Sequence, residues 1–110
     1  MNKICTSIEQ SEKLIELGID VNTADMYWSL TNHLPVIGKC CVEYGGMQLP
    51  AWSLSTLFKM LPKSACLEKG SSSELCRVNL PVELKCSDWY LDPIDAAFEM
   101  VCWLLENKKL

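Results

Sequence analysis

The chain has 110 residues, of which 49% are hydrophobic and 22% charged, with a formal net charge of −4 and a sequence pI of about 4.9. That length fits a single domain, residues 1–110, able to bury one core without disulfide or metal staples, and the composition excludes global disorder. Basic residues are scattered, with Lys108–Lys109 the only adjacent pair, so the phosphate-neutralising stripe that nucleic-acid binding requires is missing.

The first predicted element is a helix in "CTSIEQSEKLIELG". Thr6 and Glu9 fit a capping box, and Ile8, Ser11, Leu14 and Ile15 share one face opposite Glu9, Glu12, Lys13 and Glu16. Gly18 supplies a left-handed stop, with Ile19 placed to touch back onto the helix. "LIELGIDVNTAD" also resembles the end of an ankyrin repeat's second helix and its following turn, but no repeat of about 33 residues follows, and a solenoid needs several. An ordinary helix stop accounts for the match.

"MYWSL" reads as a short strand. "PVIGKCCVEYGGMQLP" reads as a hairpin turning at Gly45–Gly46, with Val36, Gly38, Cys40, Val42 and Tyr44 on one face. "AWSLSTLFKMLPK" reads as a short helix. Ser53 caps it, Trp52 and Leu57 occupy staple positions, and Pro62 ends it. "SACLE" and "LCRVNL" flank the polar loop "EKGSSSE" as a further hairpin, and "ELKCSDWYL" is the last strand. The final helix begins with Asp92 as cap, Pro93 at the first position and Asp95 in the first turn. Short strands joined by hairpin signals predict an α+β fold: two or three amphipathic helices packed on a small, mainly antiparallel sheet. The alternative is a mostly helical domain with one hairpin.

No segment approaches the roughly 18 uninterrupted apolar residues of a membrane span, and the opening residues carry no apolar core of signal-peptide length. The expected setting is cytoplasmic, where the seven cysteines stay reduced. They stand at 5, 40, 41, 66, 76, 86 and 102 without any C-x-x-C pair. A zinc site built from Cys40 or Cys41 with Cys66, Cys76 and Cys86 would need several strands to converge. Buried structural thiols are the simpler reading, and no metal or other cofactor is expected.

Catalytic chemistry has little to build on. His33 is the lone histidine and nothing in the sequence sets a cysteine beside it. Asp88, Asp92 and Asp95 cluster, but capping accounts for Asp92 and Asp95. The serines of "GSSSE" lack the lysine pattern of a phosphate loop.

Three blocks, "CTSIEQSEKLIELGIDVNTADMYW", "LPAWSLSTLFKMLP" and "PIDAAFEMVCWLLENKKL", cover about half the chain and resemble a family of short uncharacterised proteins from Bacteroides-type gut bacteria and their phages or mobile elements. The resemblance implies a cytoplasmic bacterial protein carried on mobile DNA; it transfers no activity, cofactor or site residue.

The expected function is therefore that of a non-catalytic accessory protein acting through protein–protein contact, with a partner protein or with its own copy, and with neither nucleic acid nor membrane. The alternative is a small enzyme or ligand-binding domain whose site gathers residues distant in sequence. Projected at about 100° per residue, the last helix places Ile94, Ala97, Phe98, Val101, Cys102 and Leu105 on its core stripe. Trp103 falls nearly opposite, near Met100, with Leu104 bridging. Met100, Trp103 and Leu104 are therefore the candidate partner-binding residues, unless another element folds over that side and makes the helix central.

Overall fold

The computed structural model describes residues 3–38, 48–71 and 74–107. Among these residues three α-helices and six strands follow in chain order: α1 (Ile8–Glu16), a 3₁₀ turn (Val21–Thr23), β1 (Met26–Ser29), β2 (Leu34–Ile37), β3 (Gln48–Ala51), α2 (Leu54–Met60), β4 (Cys66–Lys69), β5 (Cys76–Leu80), β6 (Lys85–Cys86) and α3 (Pro93–Glu106). The fold class is α+β, as the hairpin signals predict. The strands form two antiparallel three-stranded sheets, in the orders β2-β1-β3 and β4-β5-β6, and not one.

Local signals set most helix ends. α1 closes in a Schellman motif: Ile19 N–H donates to Leu14 O at 3.1 Å, Gly18 N–H donates to Ile15 O at 3.0 Å, and Gly18 adopts φ 95°. Its start lies one residue later than expected, with Ser7 and Gln10 forming the capping box. Thr6 is not available for that role. Its hydroxyl lies 2.8 Å from Ser11 Oγ and accepts from Trp52 N–H at 3.1 Å, both buried. Ser53 caps α2, and Trp52 and Leu57, both fully buried, form its staple. Asp92 caps α3 by accepting from Ile94 N–H at 2.9 Å.

The expected hairpin turning at Gly45–Gly46 pairs residues 40–44 with the start of β3, and 39–47 lie outside the described residues. β2 and β3 do not pair with each other; β1 lies between them, with Tyr27 opposite Val36 on one side and Pro50 on the other. Gly38 N–H donates to Asp25 O at 3.0 Å, so the alternation of the ladder makes Tyr27–Val36 a hydrogen-bonded pair and Trp28–Pro35 a non-bonded one. Tyr27 therefore spends its backbone groups on β2, and Pro50 opposite it is also non-bonded. Among the described residues β2 and β3 are the outer strands of this sheet, and each thus places a proline, with no N–H to offer, at a position facing away from β1.

The second sheet covers α3. β5 alternates buried Cys76, Val78 and Leu80 with half-buried Arg77 and Asn79, and its inner row packs on the helix. β6 is shorter than expected. From Cys86 opposite Asn79 to Tyr90 opposite Cys76, β5 advances three residues and the other strand four, which is a bulge. Ser87 fills it, its hydroxyl accepting from Val78 N–H at 3.0 Å. Beyond the bulge the Tyr90 hydroxyl donates to Glu99 Oε1 at 2.6 Å; that bond, with burial, raises its pKa and fixes the strand end to α3.

α3 is the central element, packed between α2 and β5. Ile94, Ala96, Ala97, Met100, Val101, Cys102 and Leu104 are all buried, so its apolar surface runs well beyond the expected stripe.

Candidate functional site

Of the expected partner-binding residues, Met100 and Leu104 are 0% and 1% exposed, covered by this chain's own residues. Neither offers a surface to a partner. The angle that sets them off the core stripe is correct, but other elements fold over that side of α3. Trp103 is half-buried and packs against the main core, with Lys85 Nζ 6.0 Å from its ring centroid.

Cys40 and Cys41, two of the candidate zinc ligands, lie outside the described residues. Among the described residues no group of three or more His, Cys, Asp or Glu could hold a metal ion. Burial pushes the Cys5 thiol up to about 11 and the Cys102 thiol to about 12, with Asp25 and Glu106 adding to the rise, and burial also raises Cys76. These three are protonated at neutral pH and poor nucleophiles. His33 is exposed in the turn joining β1 to β2, with φ 56°. Asp92 and Asp95 serve as capping and tethering groups, and Asp88 is exposed.

Asp25 marks a structural knot. Its carboxylate accepts from Ser53 N–H at 2.9 Å and from the Ser53 hydroxyl at 2.5 Å. Burial pushes its pKa up, but the bonds from Ser53 and Thr56 outweigh that and leave it below the ordinary 3.8. A carboxyl whose folded pKa is lowered adds stability above its unfolded pKa and loses it as pH falls through the folded one. The melting-temperature gap between the parent and Asp25→Asn should therefore be widest above about pH 4 and shrink on acidification below it. A gap independent of pH between 2 and 7, on the order of the carboxylate titration range, would show that the charge of Asp25 contributes nothing.

Two exposed apolar side chains, Ile4 and Leu91, meet clefts around the segment that precedes α1. Lys3 N–H donates to Asp92 Oδ2 at 3.0 Å, and Lys3 Nζ donates to Asp95 Oδ1 at 2.6 Å. Thr6 N–H donates to Trp52 O at 2.9 Å, and Trp28 Nε1 donates to Thr6 O at 2.8 Å. The chain is thus laid from the start of α3 to the end of β3, leaving Ile4 53% exposed. A cleft of about 360 Å³ opens on one side of Ile4, lined by Leu54, Leu91 and Pro93 together with Lys3 and Asp92. A second, of about 260 Å³, opens on the other side, lined by Cys5, Ser7, Trp28 and Pro35. Leu91, 57% exposed, stands at the rim of the first.

Sequence reasoning missed this surface, although one local signal pointed to it. Leu91 precedes the cap of α3, where an apolar residue normally packs against the fourth helical residue. That residue is Ala96, whose methyl is too short to meet it and is itself fully buried. A leucine at a staple position with no partner is left in solvent.

Compared with family models, with curated proteins and with solved structures, the chain matches none.

Proposed function

We propose that this chain is a non-catalytic accessory protein that acts through protein–protein contact, and that the contact is made by the surface around Ile4. One observation carries the reading. Ile4 and Leu91, each more than half exposed, stand at adjoining clefts: the one beside Trp28 and Pro35 has mainly apolar walls, and the other sets Leu54, Leu91 and Pro93 among the charged Lys3, Glu74 and Asp92. An apolar side chain pair projecting beside preformed hollows is the arrangement in which burial by a partner gains most, since each fully covered aliphatic side chain contributes about 1.5–3 kcal/mol. The reading includes a cytoplasmic setting on a bacterial mobile element, supported by the odd cysteine count and by the three sequence blocks described above. No described helix is long and apolar enough to cross a membrane.

The test is the double variant Ile4→Ser/Leu91→Ser. Each side chain is a little more than half solvated already, so the free energy of unfolding should fall by no more than about 1 kcal/mol per site from the parent. Self-association, read by sedimentation velocity, or retention of the partner recovered with the tagged parent should fall at least tenfold, the loss expected for about 1.4 kcal/mol or more of buried contact. A double variant that keeps the parent's stability and all its associations would overturn the proposal.

A further inference from the structure

We infer that the segment Lys3–Cys5 is a strap that opens independently of the rest of the fold and, on opening, joins the two clefts beside Ile4 into one channel. This rests on the proposed contact surface, whose access the strap would regulate.

The two clefts share lining residues Lys3 and Ile4, so the strap itself is the wall between them. Its attachments are few and sit at its ends. At one end are the Lys3 N–H bond to Asp92 and the exposed Lys3–Asp95 ion pair, the latter shared with Gln10 Nε2 at 2.7 Å from the same Asp95 oxygen. At the other end Thr6 is fully buried and held by backbone and hydroxyl bonds to Trp52 and Ser11. That end is the natural hinge. Between them Ile4 points largely to solvent, and Cys5 is the strap's one buried apolar side chain.

What lies beneath is also separable. Cys5, Met26 and Ala51 form a small apolar cluster, with Trp28 packed on it, distinct from the main core around α3. Segments with few buried contacts open at lower free energy than the whole fold. Lifting residues 3–5 removes only Cys5 from this cluster and leaves Met26, Ala51, Trp28 and Pro35 as the floor of the joined channel.

Cys5 reports the movement directly. The full-length chain is pulsed with N-ethylmaleimide under native conditions, and each cysteine is read by peptide mass spectrometry. Cys66 and Cys86, both exposed, set the fast limit; Cys102, buried in α3, sets the rate of global opening. Cys5 should label at least tenfold faster than Cys102, as a sub-global opening requires. Asp92→Asn sharpens the test. Asparagine still caps α3, but it has one carbonyl oxygen for the two N–H groups of Ile94 and Lys3. Cys5 labelling should rise about tenfold, the effect of leaving one such group unpaired, with Cys102 unchanged. Lys3→Met, which removes the exposed ion pair with Asp95 and the 3.5 Å bond to Gln10 Oε1 but keeps the backbone bond to Asp92, should raise Cys5 labelling about two- to fivefold.

Cys5 and Cys102 reacting in step in the parent and in Lys3→Met would mean that the strap opens only with the whole fold, and would overturn the inference. Because labelling needs no partner, it separates from the contact reading. Faster Cys5 labelling in a chain whose associations survive Ile4→Ser/Leu91→Ser keeps the strap and removes the contact surface.

Discussion

Replacing Trp52 with alanine should cost about 3–5 kcal/mol, the range for large aromatic truncations in a core and a large part of the roughly 5–15 kcal/mol that holds a domain together. The residue is 0% exposed and belongs to the main core. It also sits where four elements meet. Its backbone N–H and C=O both bond to Thr6, tying the end of β3 to the start of α1. Its indole N–H donates to Thr23 Oγ1 at 2.9 Å in the 3₁₀ turn. Its ring packs ahead of α2 as the staple against Leu57. Alanine keeps the backbone bonds and loses everything else, leaving a cavity between elements that cannot all collapse inward at once. Trp52→Phe separates the two contributions. It restores most of the apolar volume and removes only the donor to Thr23, which is exposed, keeps its own bond to Asp20 O and can accept from water instead, so its cost should stay below about 1.5 kcal/mol. Urea denaturation of both variants gives the comparison. An alanine variant within about 1 kcal/mol of the parent would mean that Trp52 is not the junction its contacts indicate.

How much of this was legible in the sequence depended on the range of each contact. Gly18 after "EKLIEL", Ser53 after Trp52, and Asp92–Pro93 before α3 all act within a turn of chain, and the structure keeps all three. The hairpin of β4 and β5 is likewise local. The cap of α1 shows where locality fails. "TSIEQ" offers Thr6 with Glu9 and Ser7 with Gln10 as equally good boxes, and the choice falls to Trp52, far along the chain, which claims the Thr6 hydroxyl. The order of the first sheet lies beyond local signals for the same reason: β1 stands between β2 and β3, and no turn motif announces its pairing with the later of the two. The surface around Ile4 is the extreme case. It depends on Lys3 meeting Asp92 and Asp95, contacts between the two ends of the chain that leave no periodic trace in either.

Met100→Asp and Trp103→Asp should part widely, although both residues fall on the side of α3 away from its predicted stripe. Met100 is 0% exposed among Ile94, Ala96, Ala97, Val101 and Leu104 in the main cluster. A carboxylate there would be desolvated with no described partner, a burden that exceeds the stability of most domains unless the group protonates or the fold opens. The variant should be unfolded or molten at neutral pH, with lost near-ultraviolet circular dichroism. Trp103 presents a different balance. It is partly exposed, and Lys85 stands over its ring at a place from which it can pair with an introduced carboxylate. Trp103→Asp should therefore fold, at a cost of about 1–3 kcal/mol for the packing given up. Equal damage from the two changes would show that Trp103 is as much core as Met100. A folded Met100→Asp with a native spectrum would show that α3 is not the central element. Trp103 also remains the one expected contact residue of α3 that solvent reaches. Sedimentation of the folded Trp103→Asp variant beside Ile4→Ser/Leu91→Ser then assigns any self-association to one face: lost in the first and kept in the second, the contact lies on α3; kept in the first and lost in the second, it lies at the strap.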